Sequence, residues 1–149
     1  MFAKATQDRM QICLFGTVLA VTASLANAAV TLPGDMTGQW IGSSLLDGQR
    51  ETAKTMLDLT GDGDSTLRVE SHTTCTLKGG NYTALEGGDA GAWSLAFKSA
   101  QGGEACERMT QGKFVLHAGN KPRTLDFDLV YPGRDGASNH RHGMLSHYP

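Results

Sequence analysis

The sequence predicts an all-β protein, a single antiparallel barrel or sandwich of about eight strands carrying one disulfide. Three observations predict it. Apolar and polar residues alternate with a period of two, most clearly where Leu125, Phe127, Leu129 and Tyr131 interleave with Thr124, Asp126 and Asp128. Turn signals recur about every 8–12 residues, and the 19 glycines fall mostly at these breaks. After residue 28 no run carries a long helical periodicity.

Residues 1–28 are set aside first. Lys4 and Arg9 give a positive start, residues 12–23 are apolar or small without a charge, and Ala26-Asn27-Ala28 is a small-x-small cleavage site. This is the pattern of a secretory signal peptide cut after Ala28, leaving an exported domain over residues 29–149. The apolar run is shorter, and richer in Ala and Thr, than the roughly 20 apolar residues of a membrane span. Cys13 lies within that run rather than after it, which argues against a lipid anchor.

The elements follow in order. Residues 29–35 lead in, with Pro33-Gly34, to a first strand beginning at Thr37-Gly38-Gln39-Trp40. Leu46-Asp47-Gly48-Gln49 is a turn, because Asp-Gly suits the left-handed backbone of hairpin turns. Thr52–Leu59 is the second strand, and Thr60-Gly61-Asp62-Gly63-Asp64 turns the chain again. Leu67 and Val69 alternate with Arg68 and Glu70 on a half-buried strand. Thr74–Lys78 follows, broken at Gly79-Gly80 and resuming over residues 81–85. After a loop at residues 86–91, Trp93, Leu95 and Phe97 share one face of a strand. Further strands are expected over residues 105–109 and 113–117, then at the Leu125 alternation, and last over residues 143–148. Leu125, Phe127 and Leu129 with Trp93, Leu95 and Phe97 form the expected core.

Removing Lys4, Arg9 and Asp8 leaves 11 basic residues against 14 acidic ones, a net charge of −3. A mildly acidic, mixed surface excludes the basic face that nucleic acid needs and the polybasic cluster of a peripheral membrane binder. Maturation also reduces three cysteines to two, Cys75 and Cys106. An even count in an exported chain points to a disulfide between them. Their spacing is far from the C-x-x-C of redox or thiolate-metal pairs.

Two clusters invite a site. Asn139-His140-Arg141-His142 is followed by His147-Tyr148. On a strand His140 and His142 project to one face, where two imidazoles can ligate Zn, Cu or Ni with His147 or Asp135 completing the set. The commoner role for such residues is an exposed polar loop, so His140, Arg141 and His142 are expected on a terminal loop or edge. Tyr131, Arg134 and Tyr148 would gather round them into an aromatic, Arg and His docking surface that uses no metal. The second cluster, the carboxylates Asp58, Asp62 and Asp64, lacks the terminal Glu and flanking helices of an EF-hand and reads as a hairpin turn. Gly-x-Ser-x-Gly does not occur, and Glu86, Asp89, Glu104 and Glu107 could pair as glycosidase acids only if the fold brought them together.

The run Thr37-Gly38-Gln39-Trp40 resembles the calycin barrels, lipocalins and avidins, in which such a Trp starts the first strand. The resemblance covers four residues and implies a barrel with Trp40 closing its base or packing its core. In size, compartment and architecture the chain is also similar to periplasmic lysozyme inhibitors. The export signal implies a periplasmic or secreted protein, and the similarity to the lysozyme inhibitors implies a binding protein without catalysis or cofactor, whose partner is another exported protein that it binds or inhibits. A lipocalin-like carrier of a small apolar ligand is the first alternative. A metal-binding protein or metal-dependent enzyme using the C-terminal histidines is the second.

Overall fold

The computed structural model describes residues 32–62, 64–85 and 91–149. The signal segment expected over residues 1–28, together with Glu86 and Asp89, lies outside the described residues. The described chain forms β1 (Gly38–Leu46), β2 (Thr52–Leu59), β3 (Thr66–Glu70), β4 (Thr74–Lys78), β5 (Asn81–Ala84), β6 (Ala92–Ala96), β7 (Ser99–Gln101), α1 (Glu104–Thr110), β8 (Lys113–Ala118), β9 (Thr124–Pro132) and β10 (Ser138–Tyr148).

All ten strands join one curled antiparallel sheet in the order β5-β6-β8-β9-β10-β1-β2-β3-β4-β7. Two short links explain the curl. Gly79-Gly80 connects β4 to β5, and Phe97-Lys98 connects β6 to β7, although each pair stands near opposite ends of the order. Three Cα steps reach at most roughly 11 Å, so a flat ten-stranded sheet could not make either link. Tyr82 of β5 reinforces the curl. Its hydroxyl donates to the Thr60 carbonyl at 2.8 Å and bonds to Ser65 at the start of the β3 region.

The period-two alternation decides what faces inward. Leu125, Phe127, Leu129 and Tyr131 are buried, and so are Leu57, Leu67, Leu77, Phe114, Leu116 and Leu145. Phe127 stacks on Phe114 at 5.3 Å between ring centroids, and Phe97 meets Phe114 edge-on at 5.4 Å. Gly143 makes room for this stack, since a Cβ there would lie 2.7 Å from the Phe127 ring and 2.5 Å from the Ser43 carbonyl. Trp40 is buried and donates its indole N–H to the Met36 carbonyl at 2.9 Å. Leu95 and Phe97 are buried as expected, whereas Trp93 is only half-buried and packs at the margin of the core.

The disulfide joins Cys75 to Cys106, with 5.4 Å between the Cα atoms. Cys75 lies on β4, but Cys106 does not lie on a strand. Residues 105–109, expected as a strand, belong to the helix α1. Ala, Glu, Arg and Met all favour helix there, and Glu104 pairs with Arg108 one turn on at 2.6 Å. The segment is too short for periodicity to declare itself, and Cys106 and Met109 give it a buried side. The strand count also rises from about eight to ten, because Ser99–Gln101 is a separate edge strand and Asn81–Ala84 another.

Candidate functional site

The sheet's outer face carries a cluster built from four elements. β10 runs from Ser138, five residues before the start expected from the sequence, so His140, Arg141 and His142 lie on a strand and not on a terminal loop. The strand is not an edge either, since it is paired to β9 on one side and β1 on the other. Those two ladders extend it, because the Asp-Gly turn at residues 135–136 closes a hairpin with β9 that begins at Ser138 opposite Pro132. Alternation then turns His140 and His142 outward and Arg141 inward.

The neighbours follow from register. His142 stands opposite Asp128, and His140 is diagonal to it across the β9–β10 ladder. Val115 of β8 opposes Asp128 from the other side, so His117 is Asp128's second diagonal neighbour. On the β1 side, Leu45 opposes His142 and Leu46 opposes Arg141. One residue further, the Asp47 N–H donates to the His140 carbonyl at 2.9 Å, which pins the β1–β2 turn beside the histidines.

The resulting geometry converges on Asp47. His140 Nδ1 lies 3.1 Å from Asp47 Oδ2, and His142 Nδ1 lies 3.3 Å from Asp47 Oδ1. On the far side of its ring, His140 Nε2 lies 2.7 Å from Asp128 Oδ1. His117 Nε2 approaches the other Asp128 oxygen at 3.8 Å. The two imidazoles of β10 are tilted at 43° with centroids 5.3 Å apart. The hydrogen bond that His140 donates to Asp128 raises the His140 pKa above its ordinary value, slight burial opposes it, and Asp47 adds to the rise.

Asp47, His140 and His142 each offer one ligand atom, and these atoms lie within 4.8 Å of one another. Tetrahedral coordination with bonds of about 2.0–2.1 Å places ligand atoms about 3.3 Å apart. His140 Nδ1 and His142 Nδ1 stand 3.1 and 3.3 Å from different oxygens of Asp47, separations near that spacing and also those of ordinary hydrogen bonds. Asp128 occupies the position of the carboxylate that commonly orients a metal-bound histidine by accepting its other N–H. The carboxylates Asp47 and Asp128 border the imidazoles, and their negative charge favours a cation.

The other expected residues do not gather here. His147 packs edge-on against Trp40 at 5.0 Å, and its Nδ1 accepts from Arg123 Nη2 at 2.8 Å. It is seven strand positions from His140, roughly 24 Å away. Asp135 caps its own turn through the Ala137 N–H at 3.0 Å. Of the docking residues, Tyr131 and Arg141 are buried on the inner side, Arg134 is exposed in the β9–β10 turn, and Tyr148 is exposed at the opposite end of β10. The six therefore divide between two faces and two ends of the sheet.

The acidic turn after β2 is a hairpin connection, as expected. Thr60 Oγ1 bonds to Asp62 Oδ1 at 2.5 Å and accepts the Asp64 N–H at 2.9 Å. Asp47, Asp128 and His117 were not singled out by the sequence. Asp47 read as a turn residue and Asp128 as one outward position in an alternation, and only register joins Asp47 to a histidine 93 positions away and Asp128 to the same histidine 12 positions away.

No protein-family model matches the chain, and neither a curated protein nor a solved structure matches it.

Proposed function

We propose that this is a non-catalytic binding protein that holds a divalent first-row transition-metal ion, Zn²⁺ foremost, on the outer face of its sheet. Asp47, His140 and His142 are the ligands, and Asp128 orients His140. One observation carries the reading: one ligand atom from each of Asp47, His140 and His142 lies within 4.8 Å of the other two on an outward face of the sheet. Imidazole and carboxylate donors suit Zn²⁺, Cu²⁺ or Ni²⁺ better than Ca²⁺, which prefers six or more oxygens. The disulfide supports a periplasmic or secreted setting, where such bonds persist.

Chelation tests it. EDTA treatment should lower the melting temperature by several degrees, and added Zn²⁺ should restore it, in the wild type but not in His142→Ala. A melting temperature indifferent to both would remove the metal reading.

A second reading rests on its own observation. Val130 and Met144 are large, apolar and exposed, at 43% and 52%, and they point outward beside the histidines. Val130 directly opposes His140. An exported partner protein docking on this face, to be bound or inhibited, would cover them. That partner would be retained after chelation and lost in Val130→Asp. A carrier of a small apolar ligand is the least supported alternative, because aromatic and leucine side chains fill the interior.

A further inference from the structure

Arg141 stands between the two histidines of β10 but on the opposite side of the sheet. It is 7% exposed. Its Nη1 donates to Ser44 Oγ at 3.0 Å, and Ser44 is bonded in turn to Thr55 Oγ1 at 2.7 Å. Among the described residues its Nε has no hydrogen-bond partner, and no carboxylate lies within 4.0 Å of the guanidinium. A guanidinium cannot shed its charge by deprotonating, and a buried charge is strongly unfavourable unless it is paired. Two neutral hydroxyls do not neutralise it.

The same side chain lines an open cavity of about 700 Å³ at the end of the sheet where the β1–β2 and β3–β4 turns meet. Arg50, Glu51, Glu70 and His72 stand around it. Glu70 is already held by Arg68 at 2.9 Å and Lys54 at 4.0 Å, so its charge is committed to its own strand neighbours. The cavity therefore offers a buried, uncompensated cation in a polar recess.

We infer that this cavity binds a small organic carboxylate, whose anionic end pairs with Arg141. The fork of guanidinium donors matches a carboxylate's two oxygens. Glu51 on the wall, which forms no ion pair among the described residues, favours a singly charged anion over a doubly charged phosphate. This site is independent of the metal cluster, which lies across the sheet on other side chains.

The test is a titration of ¹⁵N-labelled protein with sodium acetate, followed by the Arg141 Nε–H signal and the amides of Ser44, Ala53 and His72. Sodium chloride at equal ionic strength is the control. Saturable shifts at Arg141 with acetate and not with chloride are expected, with inorganic phosphate binding more weakly. Arg141→Lys, which keeps the charge but loses the fork, should weaken binding by on the order of tenfold or more. Should Arg141→Lys fail to fold, the wild-type titration decides alone. Shifts that do not saturate, phosphate binding as tightly as acetate, or unchanged binding in a folded Arg141→Lys would each overturn the inference.

Discussion

His140 Nε2 and Asp128 Oδ1 are 2.7 Å apart although the two residues are not register partners. His140 faces Val130, and Asp128 faces His142. The diagonal contact leaves the other side of the His140 ring free for Asp47. One imidazole is thus held between two carboxylates.

That arrangement sets a titration. His140 should take up its proton above the ordinary histidine value near 6.5, chiefly through the Asp128 bond. Because the folded pKa is raised, the associated stability is fully present below about pH 6.5 and is lost as pH rises through the folded value. Histidine ring signals followed by NMR in metal-free protein should show this, and Asp128→Asn should bring the His140 midpoint down. An unchanged midpoint in that variant would mean the contact does not persist in solution.

The core carries a larger effect. Phe127 is 1% exposed and stacked on Phe114. Truncation to Ala should cost about 3–5 kcal/mol in denaturant unfolding. A loss below about 1 kcal/mol would place Phe127 outside the packed interior.

Tyr82 ties the β5 edge to the β2–β3 turn through Ser65 and Thr60. Tyr82→Phe should cost about 1–2 kcal/mol, the loss of a hydrogen bond together with partners left short of one. Burial raises the Tyr82 pKa, so its contribution holds below about pH 10 and fades as pH climbs through the raised value. Wild type and Tyr82→Phe should therefore converge in stability under strongly alkaline conditions. A constant difference from neutral to alkaline pH would argue against a buried phenol.

The disulfide fastens α1 to β4, next to the edge strand β7. Mass spectrometry of non-reduced protein should show two hydrogens fewer than the reduced chain. With 31 residues of separation, loop-closure entropy corresponds to about 3.5–4 kcal/mol. Replacing both cysteines by Ala should destabilise by an amount of that order.

Much of this fold was legible in the sequence because period-two patterning reports facing directly. The strands Thr52–Leu59 and Thr74–Lys78 match their expected bounds, and the inward set of β9 is the expected one. Residues 105–109 misled because a single helical turn or two shows no period, and a cysteine suits either state. The site was half legible. His-x-His announced a shared face, but Asp47 is 93 positions from His140. Its proximity is created by the β1–β10 ladder, a register that local pattern does not encode. Arg141 was assigned to the same patch as its neighbours, whereas on a strand the middle residue of a triplet must point the other way.

The most direct test of the metal assignment is X-ray absorption on protein loaded with one equivalent of Zn²⁺. We expect one tightly held ion with nitrogen and oxygen neighbours at about 2.0–2.1 Å and the outer-shell scattering of two imidazoles. That imidazole count should fall to one in His142→Ala. A first shell of oxygen alone, or an imidazole count unaffected by that substitution, would contradict coordination by His140 and His142.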